Sequence, residues 1–140
     1  MKKIITKSAK ETQQLAFDYT KKIEKGQVVC FQGELGAGKT TFIQGILKSL
    51  NAKGPYTSPT FVIMKKYDVK HAIIDTVYHI DAYRIDHSAL FDLGWEEIIQ
   101  NKKALILLEW PEKIEKSLPK NARLIKFKWI DENSRELVFS

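Results

Sequence analysis

The chain has 140 residues, of which 44% are hydrophobic and 29% are charged, and this balance is typical of one globular domain. Its single cysteine, Cys30, excludes an intramolecular disulfide. No apolar stretch is long enough to cross a bilayer, so we expect a soluble, cytoplasmic protein that does not insert into membranes. The net charge of +6 permits binding to a polyanion such as nucleic acid, but the scattered lysines fit a solvated surface equally well.

The first half of the chain predicts a helix, a strand, a glycine-rich turn and a second helix. Ser8 and Glu11 have the spacing of a capping box, and the apolar residues that follow recur at helical spacing until a stop near Gly26. Residues 28–32 begin with four consecutive apolar residues, which is typical of a central strand covered on both faces and predicts a buried Cys30. Helical spacing resumes over residues 41–50.

The second half predicts a loop, a hairpin, a helical stretch and three further strands. In chain order these are a loop at 53–59, an antiparallel hairpin of residues 61–67 and 72–80, a helical stretch at 88–101 interrupted at Gly94, a buried strand at 104–108, and two strands at 123–130 and 136–139 joined by a turn. Pro111 should end any continuation of the buried strand, because proline lacks the amide that a strand ladder needs.

The turn between the first strand and the second helix carries a phosphate-binding sequence. Residues 33–40, GELGAGKT, fit the Walker A pattern G-x-x-x-x-G-K-[ST]. Glycines let backbone amides approach phosphate oxygens, Lys39 meets the β and γ phosphates, and the Thr40 hydroxyl can coordinate magnesium. The candidate nucleotide-binding residues are Gly33, Glu34, Leu35, Gly36, Ala37, Gly38, Lys39, Thr40 and Thr41. The sequence therefore predicts a P-loop site for ATP and Mg²⁺.

Two acidic residues that end predicted strands are candidates for the chemistry of such a site. Glu109 ends the run 104–108, where a buried charge is unfavourable without a partner such as a metal. A solvated carboxylate at a strand terminus is the alternative. Asp81 could orient the attacking water or bind a metal-bound water. His79 is interpreted as a structural hydrogen-bonding residue.

Two further features have two interpretations each. A guanidinium at Arg84 fits stabilisation of transition-state charge, and it fits equally well an ion pair with Asp81 or Asp86. Residues 58–61, SPTF, lie where switch segments of nucleotide hydrolases often occur, so their hydroxyls are candidates for sensing the γ-phosphate. A simple turn is the alternative for this segment.

Four segments in this order resemble signatures of the TsaE (YjeE) family, bacterial ATPases required for threonylcarbamoyladenosine modification of tRNA. They are residues 33–41 (GELGAGKTT), 58–61 (SPTF), 79–84 (HIDAYR) and 107–112 (LLEWPE). The phosphate loop occurs in many families, whereas its combination with the second and fourth segments is specific to this one.

The resemblance implies an α/β P-loop fold of three layers, with a mixed, mostly parallel central sheet plus antiparallel hairpins, in one domain over residues 1–140. It implies weak, partner-stimulated ATP hydrolysis and association with the TsaD and TsaB proteins, which transfer the threonylcarbamoyl group and would bring the chain near tRNA. By family similarity, Thr40 and Glu109 would hold magnesium and residues 36–41 would contact the phosphates. Asp81 would assist hydrolysis. The candidate catalytic residues are Lys39, Asp81 and Glu109.

The alternative function is a small P-loop kinase that phosphorylates a metabolite or nucleotide. Such enzymes usually need an acceptor pocket and an arginine-bearing lid. After Glu109 only Arg123 and Arg135 are available, in segments that predict strands, so little chain is left for a lid. A nucleotide-dependent switch, in which ATP changes the affinity for a partner and hydrolysis resets it, partly overlaps with the family interpretation.

Overall fold

The computed structural model of the chain describes residues 1–56 and 63–140. The strands are β1 (Lys2–Thr6), β2 (Val28–Gln32), β3 (Met64–Asp68), β4 (Thr76–Asp81), β5 (Ala104–Glu109), β6 (Arg123–Trp129) and β7 (Arg135–Phe139). The helices are α1 (Ala9–Thr20), α2 (Lys39–Ser49), α3 (His87–Asp92) and α4 (Trp95–Gln100), with two short 3-10 helices at Pro111–Lys113 and Glu115–Ser117. Within the two described ranges, every helix is too short or too polar to span a bilayer.

The described strands form one 7-stranded sheet in the order β1-β7-β6-β2-β5-β4-β3. Its four central strands, β6, β2, β5 and β4, are parallel to one another. The strands at both edges are antiparallel, through the hairpins β3–β4 and β6–β7 and the pairing of β1 with β7. The structure therefore confirms the α/β class and the mixed sheet with antiparallel hairpins.

Strand β2 is buried on both faces, as its consecutive apolar residues predict. Val29 and Phe31 belong to one hydrophobic cluster, which includes residues of α1 and α2. Val28 and Cys30 belong to a second cluster, which includes residues of α3 and α4. Burial raises the pKa of the Cys30 thiol to about 12, so this cysteine is a buried structural side chain. The alternation between clusters places helices on both sides of the sheet and gives three layers.

Helix α1 begins where the capping-box spacing predicts and ends earlier than predicted. Ser8 Oγ accepts a hydrogen bond from the Glu11 amide at 3.0 Å, and Glu11 Oε2 accepts one from the Lys7 amide at 2.8 Å. The predicted stop near Gly26 is wrong, because the helix ends at Thr20. The next three amides donate to carbonyls three residues back rather than four, so the chain tightens into turns there.

Other boundaries differ from the predicted ones by a few residues. Helix α2 begins at Lys39, two residues before the predicted start, and β4 begins at Thr76 rather than at residue 72. Residues 72–75 belong instead to the connection between β3 and β4, where the Val69 amide donates to the Asp75 carbonyl at 3.0 Å. The first two residues of the predicted hairpin, 61 and 62, lie outside the described part of the chain.

Strand β1 is not predicted by the sequence pattern. Its residues Lys2, Lys3 and Ile5 are exposed, so it lacks the regular apolar alternation of a half-buried strand. Antiparallel pairing with β7 holds it, in a register that runs from Lys2 opposite Phe139 to Thr6 opposite Arg135.

Candidate nucleotide-binding site

The predicted phosphate loop lies between the carboxyl end of β2 and the start of α2. Gly38, the residue before the helix, has φ 105°, a conformation that side-chain-bearing residues rarely adopt. Gly33 approaches β6 so closely that an added Cβ would lie 2.7 Å from the Phe127 carbonyl oxygen. The loop is closed by a turn in which the Ala37 amide donates to the Glu34 carbonyl at 3.0 Å. The first turn of α2, whose amides have no partner within the helix, follows directly after this loop.

A cleft of about 410 Å³ opens beside this loop. Four parts of the fold form its walls: the loop with the first turn of α2, the ends of β4 and β5, the turn between β6 and β7, and the first turn of α1. The lining residues are Ser8, Ala9, Thr12, Leu35, Gly36, Gly38, Lys39, Thr40, Thr41, Asp81, Glu109, Trp110, Glu132, Asn133 and Arg135. The fold thus brings Lys39, Thr40, Asp81 and Glu109 to one cleft. The other predicted loop residues Gly33, Glu34 and Ala37 belong to the loop but do not line the cleft.

Lys39 lines the cleft and is buried, with only 5% of the residue exposed. Its Nζ lies 3.9 Å from the centroid of the Trp110 ring, within the range of a cation–π contact. Burial lowers the pKa of the Lys39 ammonium, and nearby carboxylates, led by Glu109 and Asp81, oppose that shift. A dehydrated ammonium gains more from an arriving anion than one in bulk water does, which suits a phosphate ligand.

Trp110 has an unusual backbone conformation. Its φ of 60° and ψ of 52° lie in the left-handed region, which costs a side-chain-bearing residue about 1–2 kcal/mol. The Trp110 amide donates to the Phe31 carbonyl at 3.3 Å, and Pro111 begins a 3-10 helix immediately afterwards. The indole ring also meets Tyr83 edge-on, with the ring centroids 4.9 Å apart. This residue is absent from the sequence-based candidates, although its position directly after Glu109 was a usable signal.

Glu109 is buried and hydrogen-bonded rather than solvated. It is 4% exposed, and its Oε2 lies 2.8 Å from Nε2 of His79, which is 2% exposed. His79 Nδ1 has no hydrogen-bond partner among the described residues. A proton on Nε2 is therefore the favoured arrangement, because it donates to the carboxylate and leaves only an acceptor unfilled. His79 takes the structural role that the sequence suggests, and the solvated alternative for Glu109 is wrong.

The oxygen ligands around the cleft fit a magnesium ion that binds together with a nucleotide. Asp81 ends β4 and pairs with Glu109 in the register of β4 and β5, and both carboxylates line the cleft with Thr40. The described ranges contain no cluster of three or more His, Cys, Asp or Glu residues arranged as a metal cage. Mg²⁺ usually keeps several waters and takes one or two carboxylates plus phosphate oxygens, so it needs no such cage.

The sequence-based candidate Arg84 is not among the residues that line the cleft. Arg84 is exposed and makes no ion pair with Asp81 or Asp86 in the described structure. Asp86 instead caps α3, where its side chain accepts a hydrogen bond from the Ala89 amide at 2.8 Å. Residues 58–61, the candidate γ-phosphate sensor, lie outside the described residues.

Arg135 is a site residue that sequence reasoning missed. Its Nε donates to the Gly36 carbonyl at 3.2 Å, and its Nη1 donates to the Asp131 and Ser134 carbonyls at 2.6 and 2.9 Å. The guanidinium therefore ties the turn between β6 and β7 to the phosphate loop. Gly36 and Arg135 are 99 residues apart, so no local pattern could have indicated the contact.

Comparison with known proteins agrees with this fold. A family model described as "Threonylcarbamoyl adenosine biosynthesis protein TsaE" matches residues 6–137. The chain is 31% identical over 134 residues to the tRNA threonylcarbamoyladenosine biosynthesis protein TsaE of Treponema pallidum, covering 95% of this chain and 96% of that protein. It is 33% identical over 135 residues to the protein of the same name from Bacillus subtilis, covering 96% and 82% of the two chains.

Among solved structures, a crystal structure of Bacillus subtilis YdiB superposes with a TM-score of 0.81 at 30% sequence identity. The match covers 99% of this chain and 83% of YdiB. Since the family model spans nearly the whole chain, and relatives of similar length share about a third of its residues, the chain belongs to the TsaE family.

Proposed function

We propose that the chain is an ATP-binding, weakly hydrolysing P-loop ATPase that is required for threonylcarbamoyladenosine modification of tRNA and acts in the cytoplasm with the TsaD and TsaB proteins. The observation that carries this proposal is the convergence of Lys39, Thr40, Asp81 and Glu109 on one cleft beside a phosphate-loop sequence. Relatives named for tRNA threonylcarbamoyladenosine biosynthesis support the pathway.

Each residue has a distinct role in the proposed hydrolysis. Backbone amides of residues 36–41 and the Lys39 ammonium bind the phosphates and hold the reacting γ-phosphoryl group in place. Thr40 and Glu109 would hold Mg²⁺, which when bound neutralises charge on the β and γ phosphates. Asp81 accepts a hydrogen bond from the attacking water and orients it for displacement. His79 keeps the Glu109 carboxylate in one orientation through the 2.8 Å hydrogen bond.

The arginines near the site support weak hydrolysis that a partner stimulates. Arg84 does not line the cleft in the described structure, and Arg135, which does line it, donates from its Nε and Nη1 groups to backbone carbonyls. Nucleotide hydrolases that lack an arginine beside the γ-phosphate gain about 10³- to 10⁵-fold in rate when a partner supplies one. A protein that docks over the open cleft would be able to contribute such a group.

The proposal is tested by measuring ATP binding and Mg²⁺-dependent turnover in the presence and absence of the TsaD and TsaB proteins. Lys39→Ala should remove most of the phosphate affinity or turnover, and Glu109→Ala should mainly weaken magnesium-dependent hydrolysis. Lys48→Ala is the matched control, because Lys48 is exposed in the last turn of the same helix. ATP binding and turnover that stay unaltered in both site variants would refute the assignment. Phosphoryl transfer to a small acceptor, without either partner, would favour the kinase alternative.

A further inference from the structure

Four side chains near the cleft form a contact series in which cations and aromatic rings alternate. Lys39 Nζ lies 3.9 Å from the centroid of the Trp110 ring. The Trp110 and Tyr83 rings meet edge-on with their centroids 4.9 Å apart, and Lys113 Nζ lies 5.2 Å from the centroid of the Tyr83 ring. Lys39 and Trp110 line the cleft, whereas Tyr83 and Lys113 do not. The series therefore runs from the cleft lining to residues outside it.

We propose that Tyr83 is a positioning residue of the phosphate site, whose ring holds the Trp110 indole against the Lys39 ammonium. This inference rests on the proposed function, in which Lys39 binds the phosphates of ATP. Tyr83 acts through Trp110, because it does not itself line the cleft. Tyr83 is 53% exposed, so burial in the core does not account for the position of its ring.

The Trp110 ring holds Lys39 without neutralising its charge. The carboxylates of Asp81 and Glu109 line the same cleft, and a lysine paired with either of them would be less available to phosphate. Among the described residues, Lys39 forms no ion pair with these two carboxylates. An aromatic face attracts an ammonium but carries no net charge, so the cation stays available to a phosphate. The position of the indole therefore affects how strongly the site attracts phosphate.

Trp110 needs side-chain contacts to keep its place, because its own backbone conformation is unfavourable. Its φ of 60° lies in the left-handed region, which residues with a side chain rarely adopt. The Tyr83 ring contacts this segment at two points, the indole of Trp110 and the ammonium of Lys113. An edge-to-face pair of rings stabilises its geometry beyond what the buried area contributes. Loss of the Tyr83 ring should therefore give the indole more freedom to leave Lys39.

The backbone places Tyr83 independently of its ring. The Ala82 amide donates to the Glu109 carbonyl at 3.0 Å, and the Tyr83 amide donates to Asp81 Oδ1 at 3.0 Å. Both bonds use main-chain donors, so they should remain when the side chain of Tyr83 is replaced. A substitution at this position therefore tests the ring and leaves the hydrogen bond to Asp81 in place.

The experiment measures the binding of ATP and of inorganic tripolyphosphate to the full chain by calorimetry with Mg²⁺ present. Tyr83→Leu keeps an apolar side chain without a ring, and Tyr83→Phe keeps the ring. Tyr83→Leu should weaken the binding of both ligands by about two- to ten-fold, since Lys39 acts on the phosphate chain that they share. Tyr83→Phe should bind both ligands within about two-fold of the wild type, because the contact with Trp110 is preserved.

A double variant shows whether Tyr83 acts through Trp110. Trp110→Leu should weaken the binding of both ligands by itself, because it removes the ring beside Lys39. Adding Tyr83→Leu to that variant should cause no further loss, since no indole remains to be positioned. Phe91→Leu is the matched control, because Phe91 is 62% exposed and does not line the cleft. It should bind both ligands normally.

Three results would overturn the role of Tyr83. They are normal binding in Tyr83→Leu, a loss of affinity for ATP without one for tripolyphosphate, and losses that add in the double variant. A wild-type chain that binds neither ligand would instead overturn the proposed function, and this inference with it. Thermal melting of each variant verifies that it is folded.

Discussion

The buried pair of His79 and Glu109 should stabilise the fold by a measurable amount. The side chains of His79 and Glu109 are 2% and 6% exposed, and their 2.8 Å hydrogen bond involves a carboxylate. A hydrogen bond to a charged group contributes about 1.5–3 kcal/mol. His79→Ala removes the bond and leaves a carboxylate in a largely dehydrated place, while Glu109→Leu removes both the charge and the acceptor at a similar side-chain volume.

A double-mutant cycle separates this bond from the cavity that the lost imidazole leaves. The cavity cost occurs in His79→Ala and also in the double variant, so it cancels in the coupling energy. We expect a coupling of about 1.5–3 kcal/mol, with the double variant more stable than His79→Ala alone because no unpaired charge remains. For a chain of this size, a change of about 1.5–3 kcal/mol in the free energy of unfolding corresponds to roughly 4–12 °C in melting temperature.

Urea unfolding of the wild type, both single variants and the double variant measures the coupling. His71→Ala is a suitable control, since His71 is exposed in the connection before β4 and should change the free energy of unfolding by about 0.5 kcal/mol or less. A coupling energy below about 0.5 kcal/mol would show that the two side chains do not stabilise each other and would contradict the reasoning.

Three further predictions concern the loop, the helix packing and the lysine. Gly33→Ala should destabilise the chain by about 1–3 kcal/mol and weaken ATP binding, because the added Cβ would lie 2.7 Å from the Phe127 carbonyl oxygen. Urea unfolding and ATP titration measure the two effects, and unchanged values in both would contradict this. Gly45→Ala should also lower the free energy of unfolding, because the added Cβ would lie 2.7 Å from the Cβ of Ala16. We expect this clash to outweigh the roughly 1 kcal/mol that alanine gains in helix propensity, and a stabilised variant would disprove that expectation. Burial lowers the pKa of Lys39, so ATP affinity should begin to fall at a pH below the ordinary lysine pKa of 10.5, since deprotonation removes the charge that binds phosphate. ATP affinity that stays constant up to pH 10.5 would refute the burial argument.

The parts of the fold that follow from local pattern are the parts that the sequence predicts well. Strand β2 is predicted at its observed bounds, Val28–Gln32, because a run of apolar residues leads directly into the glycine loop. The capping box starts α1 correctly, since it depends on residues three apart. Pro111 ends β5 for a reason of covalent geometry, so its effect does not depend on the surroundings.

The parts that the sequence did not predict depend on pairing between distant strands. β1 is exposed over most of its length and is specified by its partner β7 rather than by its own residues. The bond between His79 and Glu109 requires the parallel alignment of β4 with β5, and the contact of Arg135 with the phosphate loop requires the whole order of strands. Sequence spacing brings candidate residues to strand ends, but it does not determine which of them meet.

The two edge strands give a structural reason for part of the positive charge of this chain. β1 and β3 terminate the sheet on opposite sides, and each carries a pair of adjacent lysines, Lys2 with Lys3 and Lys65 with Lys66. Lysine on an edge strand discourages the pairing of that edge with another molecule, because like charges would be brought together. Part of the positive charge of this chain thus lies where it disfavours edge-to-edge pairing, and that placement requires no polyanionic partner.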